Sequence, residues 1–275
     1  MTFRLGPFPI PRQHGAWAVF LIPTFMALVV ARPWQWSSLI LVVASVLVFV
    51  SHRPAGQVIR GRGSRRGVDS SSLAWTVILG GSGAAIAAVV LAVHPVWSAF
   101  GLALLAAATY GLHLQLTLNR KHMSIPGEMV GIFGLTAAGP LTYVFVQRTL
   151  DEVGWFLWLL NFLYFGGSVF YVKLKLRVQP SLPKPFVRER IRTGFPSLMW
   201  VVFVLVMVST TMIVAKGFSW LFIAAYIPFM AKVFTGVFRW QDKGSLNVKR
   251  FGFTELAHSV IFFLLATWGF HVTAG

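Results

Sequence analysis

Long apolar runs recur along the whole chain and dominate what it can fold into. About nine of them are long enough to cross the apolar core of a bilayer, which is about 30 Å thick, as helices. They lie at residues 15–31, 35–51, 72–93, 96–117, 126–147, 154–172, 196–215, 218–238 and 252–270. Runs of this length predict an all-α fold, a polytopic membrane helix bundle with about nine transmembrane helices. We expect residues 1–275 to form one integral membrane domain.

Composition agrees with a membrane protein and excludes several classes of partner and chemistry. Only 11% of the residues are charged, whereas 56% are hydrophobic. The formal net charge of +17 is compatible with nucleic-acid binding, but Lys and Arg are also enriched in the cytoplasmic loops of membrane proteins. We therefore predict no nucleic-acid partner. The chain has no Cys, which excludes disulfides, thiolate metal sites and thiol nucleophiles.

The basic residues are concentrated in alternate connections between the apolar runs. The N-terminal segment and the connections after the second, fourth, sixth and eighth runs hold most of the 24 Lys and Arg residues, and Tyr171 to Pro196 is the densest of these segments. By the positive-inside rule, the N-terminus is predicted to be cytoplasmic and the C-terminus to lie outside, in a multi-pass protein of the cell membrane.

Glycine and proline suggest how the runs pack. Small residues let helix backbones approach closely, so the Gly-rich third and fifth runs are expected to be central, at positions that include Gly80, Gly83, Gly131 and Gly134. The Trp- and Phe-rich second and sixth runs are expected to face lipid. Proline inside a helix interrupts its hydrogen bonds, so kinks are predicted at Pro23, Pro140 and Pro228.

Ionisable residues within apolar runs are costly to insert and are therefore candidates for function. Glu128, Lys232 and the Glu255/His258 pair are expected to line a polar cavity, and Glu128, Glu255 and His258 are candidate catalytic groups. Glu255 and His258 are three residues apart and so share one helix face. The histidines near the ends of the second and fourth runs invite a simpler interpretation. We expect His52 and His122 to be solvated loop residues and His113 to extend its ring toward the membrane surface.

Several common catalytic motifs are missing from the sequence. Seven acidic residues in the whole chain are too few for the carboxylate set of a di-iron bundle. The sequence also lacks a Gly-x-Ser-x-Gly elbow and a Walker-type phosphate loop. We therefore predict neither a bound metal nor a cofactor.

Two motifs at opposite ends of the chain resemble a known family. Residues 11–18, PRQHGAWA, and residues 249–259, KRFGFTELAHS, resemble the bacterial YwiC-like family of small integral membrane proteins. The resemblance implies that His14, Trp17, Glu255 and His258 belong to the signature of that family.

The architecture carries a second resemblance, to the UbiA-type intramembrane prenyltransferases. Those enzymes also have nine spans, and they bind a prenyl diphosphate through Mg²⁺ held by Asp-rich motifs at the ends of spans two and six. Here the corresponding stretches read SHRPAGQVIR, residues 51–60, and YVKLKLR, residues 171–177, and neither contains Asp. Because Mg²⁺ requires oxygen ligands such as carboxylates, the resemblance implies the fold without the magnesium site.

Three functions remain open on the sequence. The first is a UbiA-like protein that binds an isoprenoid, a quinone-like molecule or another amphipathic anionic ligand in a cytoplasm-facing cavity. Basic side chains would then contact the anionic head directly. The second is a non-enzymatic accessory or assembly protein with a basic face that docks a partner or anionic lipid headgroups. The third is a small-molecule or proton-coupled transporter. Whether the chain is an enzyme is left undecided. The ligand-binding candidates are His14, Trp17, His52, Arg53, Arg60, Lys173, Lys175 and Lys232.

Overall fold

The computed structural model describes residues 6–11, 14–62, 67–181, 186–215, 218–239 and 247–274, without the side chains of His14, Val248 and Ala274. Within these residues the fold consists of ten helices and contains no strand, which confirms the all-α prediction. The helices are α1 (His14–Val30), α2 (Trp36–Arg62), α3 (Ser70–Val93), α4 (Trp97–Leu118), α5 (Ile125–Gln147), α6 (Glu152–Ser181), α7 (Val187–Val214), α8 (Leu221–Ala225), α9 (Ile227–Phe238) and α10 (Val248–Ala274).

All nine predicted spans fall on these helices. In the described part of the chain, seven helices, α2 to α7 and α10, are long and apolar enough to cross a membrane. The other two apolar helices are shorter: α1 has 17 residues and α9 has 12. The chain is therefore a multi-pass membrane protein, as its apolar runs predict.

Several helices continue beyond the predicted ends of their spans. α2 runs to Arg62 instead of ending near residue 51, and α6 runs to Ser181 through a π-helical turn at Leu174–Val178. Because α7 begins at Val187, much of the basic segment that was expected to be a loop is helical. Its central residues, 182–185, and other predicted connection residues lie outside the described part of the structure, among them Arg65, Arg66, Lys216 and Lys243.

At two of the three prolines where a kink was predicted, the helix is interrupted nearby. α5 is interrupted at Ala137, three residues before Pro140, and α9 starts with Ile227 and Pro228 after an interruption at Tyr226. A proline lacks the amide hydrogen that would bond to the carbonyl four residues earlier, so the helix breaks just before it. Pro23, by contrast, lies inside the continuous helix α1.

The N-terminal unit comprises Met1–Trp155. In it, α2 packs against α3, the first half of α5 against α4, and the second half of α5 against α1. Glycines form the close contacts, as predicted: a Cβ on Gly83 would lie 2.8 Å from the Ala44 carbonyl oxygen of α2. A Cβ on Gly131 of α5 would lie 3.1 Å from the His113 ring of α4.

The C-terminal unit comprises Phe156–Gly275. Its core is aromatic: the ring of Tyr164 on α6 stacks on that of Phe262 on α10 at 4.0 Å, and Phe156 and Phe222 meet edge to face. The expectation that the sixth run faces lipid is wrong, because 67% of the residues in its most apolar stretch are buried. The expectation that the third run is central is wrong as well, because only 22% of its most apolar stretch is buried, against 44% for the second run. Large aromatic side chains bury much area and build the core here.

Candidate functional site

A buried ion pair joins α9 and α10 in the C-terminal unit. The Lys232 ammonium donates to a carboxylate oxygen of Glu255 at 2.7 Å, with side-chain exposures of 4% and 19%. It also lies 3.4 Å from the hydroxyl oxygen of Ser168 on α6. The structure thus brings together two of the residues singled out by the sequence.

Aromatic rings surround the ammonium group. Its nitrogen lies 5.7 Å from the ring centre of Tyr164, 5.2 Å from that of Tyr171 and 5.3 Å from that of Phe229. Each ring presents electron density to the cation, and such contacts strengthen when water is excluded. α6 thus contributes two rings and α9 the third. The Lys232 ammonium group is therefore in contact with one carboxylate and three aromatic rings.

His258 lies next to this pair. It follows Glu255 by three residues on α10, is half-buried, and interacts electrostatically with both Lys232 and Glu255. The predicted shared face of Glu255 and His258 is therefore confirmed, and it is turned toward Lys232. A carboxylate, an ammonium group and an imidazole so close together can exchange protons or accept an ionic ligand.

The C-terminal end of α9 is capped by side chains from the basic segment. Lys175 is buried and donates to the Arg239 carbonyl oxygen at 2.7 Å, while Gln179 donates to that of Gly236 at 2.8 Å. Arg190 of α7 donates to the carbonyl of Phe238 at 2.8 Å. Cations are stabilising at a helix C-terminus, where backbone carbonyls lack helical partners. Lys175 was predicted to bind an anion, but its ammonium group already donates to a carbonyl oxygen of its own chain.

Lys173, the other candidate in this segment, lies on α6 two residues before Lys175. Its side chain is half-buried and has partners of its own. The sequence suggested that both lysines lie in a loop. The structure places both in a helix instead, because α6 continues past them.

The candidates near the N-terminus hold the segment before α1. Trp17 donates its indole N–H to the Pro11 carbonyl at 3.3 Å, and Arg53 of α2 donates to the Ile10 carbonyl at 2.6 Å.

The other candidates of the N-terminal unit lie at helix ends. Arg60 is exposed on the last turn of α2. His14 is the first residue of α1, and its side chain lies outside the described part of the structure. Glu128 lies in the first turn of α5 and is half-buried with partners.

Three histidines of the N-terminal unit form a cluster that the sequence did not predict. Nε2 of His52 and Nδ1 of His113 are 2.9 Å apart, and the rings of His113 and His122 meet edge to face at 6.5 Å. The expectation that His52 is a solvated loop residue is therefore wrong, because it lies within α2 with its ring against His113. His122 does lie in the connection between α4 and α5, as expected, but it is half-buried there. The sequence did contain one sign of this cluster. His52 and His113 lie near the ends of two apolar runs, and both ends were predicted to be on the same side of the membrane.

No metal centre is evident at either cluster. Among the described residues, no group of three or more His, Asp or Glu side chains is arranged to hold a metal ion.

The helices define the class: a multi-pass helical membrane protein with a buried ion pair. Comparison with known proteins adds a family likeness, since residues 10–143 match the family described as YwiC-like protein. The predicted resemblance to this family is confirmed. It is 23% identical to a Bacillus subtilis protein described as uncharacterized protein YwiC, over 92% of this chain and 94% of the relative. It is 24% identical to an uncharacterized protein of Haemophilus influenzae, over 93% and 96% of the two chains. No solved structure matches the chain.

Proposed function

We propose that the protein binds an amphipathic molecule with an anionic head, such as an isoprenoid compound, in its C-terminal unit, with Lys232 as the residue that contacts the head. The observation that carries this proposal is the surroundings of Lys232: a buried ammonium group with one carboxylate and three aromatic rings around it. No Mg²⁺ takes part, because Lys232 supplies the positive charge.

Binding would proceed by exchange of anions. An unpaired charge inside a membrane helix costs about 2.5–3.5 kcal/mol, so Lys232 needs a partner at all times. In the ligand-free protein that partner is Glu255. An anionic head would take its place, and the displaced carboxylate would accept a proton from a protonated His258, which would then regain a proton from solvent. Tyr171, which is 9% exposed, would contact the apolar part of the ligand, whereas the fully buried Tyr164 and Phe229 hold Lys232 in place. A UbiA-like arrangement of the helices belongs to this proposal.

A second candidate function, proton-coupled transport, is favoured by one observation. His258 interacts with both members of the ion pair, so a proton that arrives at His258 or Glu255 weakens the hold on Lys232. In a carrier, this step would couple proton movement to ligand release. The docking role for a basic face has less support, because Arg53, Lys175 and Arg190 bind carbonyls of their own chain.

Mass spectrometry of the intact purified protein, followed by extraction, tests ligand binding. We expect about one isoprenoid or quinone-like molecule per chain on the parent protein. The Lys232→Met/Glu255→Met double variant should lose it, because both the cation and its exchangeable partner are gone.

Lys249→Met is the matched control, since Lys249 is an exposed lysine on the same helix as Glu255. This variant should retain the ligand. Finding only bulk phospholipid on all three proteins, or equal ligand on the double variant and the parent, would refute the proposed function.

Orientation and lipid contacts complete the proposal. We place the N-terminus in the cytoplasm and the C-terminus outside the cell membrane, because basic residues cluster in alternate connections. Anionic lipid headgroups are the partners expected for Arg188 and Arg192, which are exposed one turn apart near the start of α7.

A topology reporter fused after Gly275 tests the orientation. An enzyme reporter that is active only outside the cytoplasm should be active there, and one that is active only inside should be silent. The same pair of reporters fused after Arg62 should give the opposite pattern. A cytoplasmic signal after Gly275 would contradict the arrangement with an odd number of spans.

A further inference from the structure

His52 of α2 and His113 of α4 form a direct link between two helices of the N-terminal unit. Their rings are tilted at 51° with centroids 4.8 Å apart, and the Nε2–Nδ1 distance of 2.9 Å is that of a hydrogen bond. Tyr110, one turn before His113, packs its ring edge to face against His52 at 5.3 Å. The Tyr110 hydroxyl also lies 3.2 Å from that of Ser51. Two hydrogen bonds thus connect the same turns of α2 and α4.

The chemistry of imidazole makes the histidine bond dependent on protonation. A neutral imidazole has one N–H donor and one lone pair, whereas an imidazolium has two donors and no lone pair. A bond between two imidazoles therefore needs at least one neutral ring. When both rings are protonated, two N–H groups and two positive charges face each other across 2.9 Å, and the bond is replaced by repulsion.

The surroundings of the pair add positive charge. Arg60 on α2 and His122 beyond the end of α4 both interact electrostatically with His52, and His122 interacts with His113 as well. From α5, Gly131 lies against the His113 ring, and Glu128, three residues earlier on the same helix, is the acidic group of that element.

Close packing limits how the pair can respond. A Cβ on Gly131 would lie only 3.1 Å from the His113 ring, so α5 blocks one side of that ring. The edge of His122 approaches it as well, and Tyr110 lies against His52. With so little room for the rings to turn aside, repulsion between them acts on the helices that carry them.

We propose that the His52–His113 pair is a proton-binding site that links α2 to α4: the link is closed while one ring is neutral and opens when a second proton binds. The site lies in the N-terminal unit and does not depend on ligand binding at Lys232. It gives the protein a response to acidic pH, below the range in which an isolated histidine titrates, because two facing positive charges disfavour the second proton.

Nuclear magnetic resonance of protein labelled with ¹⁵N-histidine in lipid nanodiscs tests the link directly. We expect a nitrogen–nitrogen coupling across the hydrogen bond between His52 and His113 at about pH 8, and its loss only at about pH 4 or below, because the second proton must bind beside an existing positive charge. Because coupled groups release protons in two steps, the parent should titrate in two steps and His113→Gln should leave His52 with one. Absence of the coupling at pH 8, or independent titration of the two rings, would overturn the proposal.

Distance measurements report whether the helices respond. Because the chain has no Cys, spin labels can be attached to single cysteines introduced at the exposed residues Arg62 of α2 and Leu118 of α4. In the otherwise unchanged protein, a second and longer distance population should appear as the pH falls from about 8 to about 4, where the second proton binds.

Two variants serve as controls for the distance measurement. His52→Phe/His113→Leu should show one population at both pH values, whereas His94→Gln should behave like the parent. The His94 ring packs on Phe145, 6.2 Å away, in the same unit. A response to pH that persists in the double variant would show that other groups drive it, and an unchanged distribution in the parent would rule out an opening link.

Discussion

Lys232→Met is expected to destabilise the C-terminal unit by about 3–5 kcal/mol, the cost of leaving one member of a buried ion pair without the other. Methionine keeps much of the length of the lysine side chain and its contacts with the three aromatic rings, so the loss is mainly electrostatic. The Glu255 carboxylate, 19% exposed, then lacks its ammonium partner. Reversible unfolding in mixed detergent and denaturant, followed by tryptophan fluorescence, measures the change.

The double variant Lys232→Met/Glu255→Met separates charge from packing. Replacing both members of a buried pair by apolar residues of similar volume is often neutral or stabilising, so most of the lost stability should return. Lys249→Met, at an exposed position, should change stability by less than about 0.5 kcal/mol. If Lys232→Met is as stable as the parent, the pair is solvated. If the double variant is as unstable as the single one, packing around Lys232 is the larger contribution.

Stability and ligand retention together distinguish a structural pair from a binding site. A double variant that is stable and still carries the ligand would mean that the pair only fixes how α9 and α10 pack. A double variant that is stable but empty would mean that Lys232 is needed for binding.

The helices themselves could be predicted from the sequence because bilayer thickness imposes a length on every apolar run. Their ends could not, because a helix continues into polar surroundings whenever its backbone remains bonded. α2 carries Arg53 and Arg60 on its last turns for this reason, and α6 carries Lys173 and Lys175. Charge marks where the membrane ends, and hydrogen bonding decides where the helix ends.

The site could be predicted only residue by residue. Lys232 and Glu255 each stood out because an ionisable group in an apolar run is costly. Their pairing depends on the rotation of α9 and α10, which apolar runs do not determine. His52 and His113 were missed for the same reason: they are 61 residues apart, and only the packing of α2 on α4 brings the rings together.

Gly167→Ala should destabilise the C-terminal unit by about 1–3 kcal/mol, as is typical of inserting a methyl group into a closely packed core. A Cβ on Gly167 of α6 would collide with the Phe229 ring of α9 and lie 2.8 Å from Cδ1 of Trp200 on α7. Trp200 is itself fixed by its hydrogen bond to the Leu163 carbonyl at 2.9 Å. Because Phe229 also lies over Lys232, its displacement should reduce ligand retention too.

Gly252→Ala provides the control for this change. Nothing lies within 4 Å of a Cβ on Gly252 of α10, so alanine there should be neutral or stabilise the protein by up to about 1 kcal/mol through its higher helix propensity. Phe229→Leu in the Gly167→Ala background should recover stability, because the smaller side chain makes room for the methyl group. If Gly167→Ala matches Gly252→Ala in stability, α6 and α9 do not approach as closely as the structure has them. If Phe229→Leu restores stability but the variant still carries no ligand, the aromatic ring itself is needed beside Lys232 for binding.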